Sequence, residues 1–291
     1  MPELPEVQTT VNGLHAKVLN RAFVDVWSDW QKMVKRPRDF AQFKKELEGK
    51  KIARVWRRAK NVIFELSEGY SLLIHMKMTG HLMVGEWQMA NGEWQPKVPG
   101  PLGDKVNGFL HVIFFLDNGD MIALSDMRKF AKIELWKTEE MLASPEFLKI
   151  GPEPLENSFT FEKFAAIISK KRGKIKQVLM DPFVVAGIGN IYASEALWWA
   201  KIHPEKRTEN LSKKELQLLY GAIKKVLNAG IEFGGESFSD YRNVDGLPGK
   251  FGSSRQAYKR EKLECARCGA PIARIMFAAR SAFYCPHCQK L

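Results

Sequence analysis

Four cysteines, Cys265, Cys268, Cys285 and Cys288, crowd into the last stretch of the chain, and none precedes them. They read C-x2-C-x16-C-x2-C, two knuckles whose thiolates can close around one tetrahedral zinc ion. A disulfide pair or a redox Cys-x-x-Cys has the same local spacing. A start without a secretory signal and a chain otherwise free of cysteine point instead to a reducing compartment. Four thiolates leave no open position, so the expected metal is one structural Zn. Between the knuckles, "PIARIMFAARSAFY" has apolar stretches on both sides of "AARSA", the pattern of a β-hairpin with Arg280 at its tip. Arg280 is then either a solvated turn residue or a contact to a phosphate or base.

The charge narrows the partner. The chain has 291 residues, 45 Lys and Arg against 33 Asp and Glu, and a formal charge of +12. Such an excess favours a polyanion, and nucleic acid before a membrane, since no basic amphipathic helix stands apart for lipid. No apolar run reaches the roughly 18 residues of a membrane span, so a cytoplasmic protein is expected. The hydrophobic share of 45% is that of a globular chain with a sizeable core.

Along the chain, a helix from about Pro5 to Leu14 precedes "AFVDVW", "KIARVWRR", "NVIFEL", "YSLLIHM", "FLHVIFFL", "MIALSDM" and "KIELW". These read as strands punctuated by Gly, Asn and Asp, so residues 1–137 predict an antiparallel β-sandwich. Residues 138–159 read as a short helix and a Pro-rich linker. From 160 to 234 the pattern is helical. In "LSKKELQLLYGAIKKVLNAG", Ser212 and Glu215 form a capping box and Leu216, Leu219, Tyr220, Ile223, Val226 and Leu227 a single stripe. The fold class is α+β. Residues 86–108 form a long tryptophan-bearing loop or extra hairpin with no assignable role.

Two shorter features carry chemistry. "AGIGN" lets Gly187 and Gly189 turn tightly and sets Asn190 at a helix start, where free N–H groups suit a phosphate; a plain connector needs no ligand. "MPELPEV" places Glu3 and Glu6 one helical turn apart beside Pro2. On these residues alone, it is a proline-stiffened helix start with acids in its first turn.

Together these stretches resemble the bacterial formamidopyrimidine-DNA glycosylases, nearly end to end. "MPELPEV" is similar to the family's start, "RRAK" to its lysine hairpin, and "HMKMTGHL" and "DMRKF" to two wedge loops. "IGPEPL" is similar to its linker, and "IKQVLMDPFVVAGIGNIYASEAL" with "IHP" to its helix–two-turns–helix element. "GGESFSDYRNVDGLPGKF" resembles the base-capping loop, and "CARCGAPI…RSAFYCPHCQ" the zinc finger. The resemblance implies a catalytic sandwich (1–137), a linker (138–159), a helix–two-turns–helix domain (160–234), a base-capping loop and connection (235–258) and a zinc finger (259–291).

It also implies a monomeric base-excision enzyme acting on double-stranded DNA that contains oxidised bases or abasic sites. Loss of Met1 would expose the secondary amine of Pro2 as nucleophile. Glu3 would protonate the sugar ring oxygen, Glu6 would position the base or the amine, and Lys60 would sit near the lesion and a phosphate. Met78 and Phe130 would fill the space of the flipped base, with Arg128 bonding its orphaned partner. His111, Lys176, Asn190, Tyr241 and Arg280 complete the implied DNA contacts. The capping loop, poor in apolar residues, is expected to be mobile without a ligand. The chain departs from the family pattern at "FLH", which keeps only His111. It departs again at Ala131, where glycine is usual, and at Lys259 and Lys262, where glycines are frequent. An endonuclease VIII-like enzyme for oxidised pyrimidines, or a non-catalytic binder of damaged DNA, are the alternatives.

Overall fold

Val7, Val11, Leu14 and Val18 recur at helical spacing, and all four are buried on one side of α1 (Leu4–Val18). The helix thus outruns its expected end at Leu14 by one turn. The structure is a computed structural model describing residues 1–237, 240–277 and 280–291. The chain divides into two units, Met1–Leu148 with Phe233–Lys250, and Lys149–Glu232 with Phe251–Leu291. The segment expected as one capping connection, 235–258, is therefore shared between the units.

After α1 the first unit continues with β1 (Phe23–Ser28), β2 (Val34–Arg36), α2 (Phe40–Leu47), β3 (Ile52–Arg58), β4 (Asn61–Leu66) and β5 (Tyr70–His75). Then come β6 (His81–Gly85), β7 (Trp87–Ala90), β8 (Glu93–Pro96), β9 (Leu110–Leu116), β10 (Met121–Ser125) and β11 (Lys132–Lys137), followed by α3 (Thr138–Ala143) and α4 (Pro145–Leu148). One sheet has the order β1-β9-β10-β6, the other β2-β11-β5-β4-β3. Every pairing is antiparallel except β2 with β11, which is parallel.

Period-two alternation builds the core between these sheets. Along β9, Val112, Phe114 and Leu116 join Phe23, Phe64 and Leu124 in one buried cluster. Phe23 meets Phe64 and Phe114 edge-on at 6.4 and 5.7 Å. Each such fully buried side chain contributes about 1.5–3 kcal/mol. Ile113, between Val112 and Phe114, belongs to a second cluster on the other face with Met83, Leu110, Met121, Ala123 and Trp87. The tryptophan-bearing loop is thus the β7–β8 hairpin and its flanks.

The second unit holds α5 (Phe161–Ser169), α6 (Ile175–Leu179), α7 (Asn190–Ala200) and α8 (Lys213–Glu232), then β12 (Ala273–Phe277) and β13 (Arg280–Tyr284). At the head of α8, Glu215 Oε2 accepts from Ser212 N (2.9 Å) and Ser212 Oγ accepts from Glu215 N (3.2 Å). Leu219, Ile223, Val226 and Leu227 are its buried stripe. Lys259 and Lys262 keep the left-handed backbone that glycine adopts freely, at φ 53° and 69°. The lysines therefore preserve the turn at a strain of about 1 kcal/mol each. Ala131 has no positive φ, is buried and donates its N–H to Asp126, so the turn there does not require glycine.

Candidate active site and nucleic-acid interface

The first turn of α1 gathers acid. Glu3 and Glu6 are buried at 3% and 1% exposure, and Glu6 Oε2 accepts from Glu3 N at 2.6 Å. The other Glu6 oxygen accepts from Glu236 N at 2.8 Å. The carbonyl of Glu6 accepts from the hydroxyls of Tyr241 (2.9 Å) and Thr10 (3.0 Å). Gly235 makes room for this: a Cβ there would lie 2.9 Å from Glu6 Cγ, and its φ is +86°. Burial pulls the Met1 amine below its ordinary range, and Lys60 adds to this, against the opposing pull of Glu3, Glu6 and Asp240. Lys60 lies in the tight turn joining β3 to β4, where Ala59 has φ 52°. Pro2, Glu3, Glu6 and Lys60 therefore share one neighbourhood.

Asp126 organises both wedge loops. Fully buried, it accepts from Thr79 Oγ1 of the first loop and from the N–H groups of Arg128 (3.2 Å), Phe130 (2.7 Å) and Ala131 (2.8 Å) of the second. The loops present Met78 and Phe130, 45% and 51% exposed. Between them the Arg128 guanidinium donates to Met78 Sδ at 3.1 Å and lies 4.7 Å from the Phe130 ring. Exposed apolar side chains held on a rigid acid-braced turn suit insertion into a base stack.

The expected phosphate contacts are differently placed. His111, in β9, is buried with its Nδ1 2.8 Å from Asp29 Oδ1. Tyr241 is buried against α1, and burial raises its hydroxyl pKa above the usual range. In the second unit, Lys176 is 1% exposed and donates to the Ser281 carbonyl at 3.2 Å. Asn190 opens α7, after Gly187 (φ +81°), and its buried Oδ1 has no partner among the described residues. Arg280 is exposed, but it is the first residue of β13, paired with Phe277, rather than the hairpin tip. Residues 278 and 279 lie outside the described residues.

The ligand sulfurs of Cys265, Cys268, Cys285 and Cys288 all lie within 4.8 Å of one another. Zn–S bonds of about 2.3 Å in a tetrahedron put sulfurs roughly 3.8 Å apart, so this set fits one zinc ion. Trp198 of α7 packs with Cys265, Ile272, Phe283 and Cys285, and the Arg267 guanidinium lies over its ring at 4.0 Å.

Three further residues were not singled out from sequence. Asp126 is one. His75, opposite Asn61 and Lys132 in the sheet, is lowered to about 3 by burial and then by Lys77, Lys60 and Lys132, so it stays neutral. Glu195 is a carboxylate in the otherwise apolar "ASEALWWA"; it is buried and accepts from the N–H groups of Gln256 (2.8 Å), Ala257 (2.9 Å) and Tyr258 (2.7 Å). An acid inside an all-apolar helix is itself a sequence signal. In the capping segment, whose residues 238 and 239 lie outside the described residues, the described chain makes several anchoring contacts. Val244 lies in the sandwich core, its carbonyl accepts from Val84 N at 2.8 Å, and Glu236 bridges Lys250 at the segment's stem.

A wedge able to enter a base stack serves a protein that takes a base out of it, and an amine among buried carboxylates suits one that then reacts with it. The class is an enzyme that acts on DNA. Family models match the formamidopyrimidine-DNA glycosylase N-terminal domain over residues 1–133 and its H2TH domain over 150–242. A third, the zinc finger found in FPG and IleRS, matches 262–291. The formamidopyrimidine-DNA glycosylase of Desulforamulus reducens is 36% identical over 291 residues, covering 100% of this chain and 99% of its own. That of Herpetosiphon aurantiacus is 39% identical, over 99% and 100%. The Lactococcus lactis Fpg solved with abasic-site DNA has a TM-score of 0.86 at 34% identity, covering 99% of this chain and 100% of that one. A structure of MutM with DNA containing carbocyclic 8-oxo-G has a TM-score of 0.85 at 34% identity, with full coverage of both. This chain belongs to the formamidopyrimidine-DNA glycosylase family. No helix among the described residues is long and apolar enough to cross a membrane.

Proposed function

We propose that the protein removes oxidised purines, 8-oxoguanine and formamidopyrimidines, from duplex DNA and then cleaves the strand at the resulting site. The observation that carries this reading is the amino terminus held beside buried Glu3 and Glu6, with Lys60 close enough to bear on the terminal amine. Once Met1 is removed, the Pro2 nitrogen attacks the sugar C1′ as the base departs with a proton. Glu3 protonates the ring oxygen and the sugar opens to an iminium ion. That secondary-amine iminium carries no N–H proton, so it holds its charge as an electron sink. Loss of a C2′ proton expels the 3′ phosphate, and a second elimination expels the 5′ phosphate. An α-amine titrates near 8 against about 10.4 for lysine, which further favours the terminus over Lys60 as nucleophile.

The wedge residues Met78, Arg128 and Phe130 hold the gap in the duplex. Lys60 lies near a phosphate of the lesion, and Asn190 and Arg280 contact phosphates of the duplex. Borohydride added during turnover of an 8-oxoguanine duplex should trap a protein–DNA adduct on the amino-terminal peptide. An adduct on Lys60, or on any other lysine, would overturn the mechanism.

A further inference from the structure

The 86–108 insertion has no part in the chemistry above, yet it is anchored firmly. Trp87 is 1% exposed in the cluster on the outer face of the β1-β9-β10-β6 sheet. Trp94 packs edge-on against Trp27, with ring centroids 5.5 Å apart. From this footing the insertion reaches the 241–250 segment. Asn107, 1% exposed, donates through Nδ2 to the carbonyls of Pro101 (2.8 Å) and Gly246 (3.2 Å). Two carbonyl acceptors fix the amide's orientation, so its oxygen must accept the 2.9 Å bond from His81 Nε2. Gly246, at φ +78°, is enclosed by the same loop: a Cβ there would meet Asn107 Nδ2, the Pro101 carbonyl and Leu102 N within 3.0 Å. Beside it, Asp104 Oδ2 lies 3.6 Å from Arg242 Nη2.

Arg242 follows directly on Tyr241 and Gly246 lies a few residues further on; the Tyr241 hydroxyl donates to the Glu6 backbone carbonyl at 2.9 Å. The contacts therefore run from the insertion, through a short stretch of backbone, to the Glu6 carbonyl in the first turn of α1. We propose that Asn107 is a positioning residue, and that through it the insertion fixes the 241–246 segment against Glu6 and so tunes which damaged base is excised. This rests on the excision reading above. The base must fit between that segment and the reacting sugar, and a displaced wall costs rate at the base-removal step. Cleavage at an abasic site, with no base to fit, is spared.

Deleting 241–249 would remove Val244 from the core, so point variants are the sharper probe. Asn107→Asp keeps the shape and an acceptor for His81 but turns an oxygen toward two carbonyls; Asn107→Ala removes all three bonds. Single-turnover excision of 8-oxoguanine, abasic-site cleavage, melting temperature and amide hydrogen exchange over 241–247 should be measured for both. The expected result is excision slowed about tenfold or more while abasic cleavage stays within about twofold, with faster exchange over 241–247. Equal loss on both substrates tracking the melting temperature would overturn the proposal, as would unchanged exchange. Wild-type protein that excises nothing would refute the excision reading and, with it, the specificity role. The exchange measurement would still report separately whether Asn107 braces the segment.

Discussion

Replacing Asp126 tests how the wedge is held, and the expected cost follows from its bonds. Its Oδ2 accepts from the N–H groups of Phe130 and Ala131 at 2.7 and 2.8 Å. Its Oδ1 accepts from Thr79 Oγ1 and Arg128 N, which also bond each other at 3.2 Å. In Asp126→Asn, the amide oxygen should stay with the two backbone donors and the NH2 turn to Thr79, whose hydroxyl can accept. The charge assistance is lost and the Thr79 O–H loses its acceptor, a loss of about 2 kcal/mol. In Asp126→Ala, Arg128 N keeps Thr79 Oγ1, while the Phe130 and Ala131 N–H groups and the Thr79 O–H lose their partner at about 1–3 kcal/mol each, about 4 kcal/mol or more in all. Guanidinium denaturation at constant slope should give these losses. Excision from duplex DNA should fall with them, because Phe130 and Arg128 lose their fixed direction. An Asp126→Ala protein within about 1 kcal/mol of wild type would show that the aspartate does not hold the loops.

Stability should fall as the pH drops below about 6.5. His75 and His81 are lowered to about 3 and about 4, chiefly by burial, so the unfolded chain protonates them before the native one does. The unfolded state then binds more protons, and each histidine contributes a slope of about 1.4 kcal/mol per pH unit until its native value is reached; a flat profile from pH 6.5 to 4.5 would contradict this. Glu195→Gln should loosen the 256–258 backbone and speed zinc loss to a chelator, since an amide cannot accept from all three N–H groups; unchanged release kinetics would count against it. Purified protein should contain one zinc and no iron, and stripping it should abolish DNA binding before the sandwich melts, which metal analysis and calorimetry together decide. Binding to duplex DNA should weaken on the order of 10³-fold between 50 and 200 mM salt if about six phosphates are neutralised, and a shallow response would refute that footprint.

The strands of the sandwich were legible because Val112, Phe114 and Leu116 alternate with residues facing the other way, and α8 because its stripe and capping box lie in one stretch. β2 was not, since three residues carry no period. α2 had a readable signal in the Asp39 cap, whose carboxylate accepts from Gln42 N, and in buried Phe43 and Leu47. At the site, sequence brought Pro2, Glu3 and Glu6 together because they are neighbours in the chain. The bond from Tyr241 to Glu6 spans 235 positions, and one sequence holds no record of such a pairing. Tyr241 therefore read as a DNA contact when its hydroxyl is turned inward. Asp126 read as part of a motif, without the four donors that converge on it.

The first unit is not a continuous piece of chain, because Phe233–Lys250 returns to it after the whole of α5–α8 has been made. During synthesis the sandwich strands and α1 leave the ribosome early, with the Glu6 carboxylate and the Val84 N–H still lacking Glu236 and Val244. Gly13, over which Val244 closes to 2.4 Å from a would-be Cβ, is then an open notch on the helix. A transcript cut short before codon 236 thus yields a sandwich in which the Glu6 carboxylate and the Val84 N–H both lack these partners. The Glu6 carboxylate, made among the first residues, therefore gains its Glu236 donor only after α5–α8 have been made.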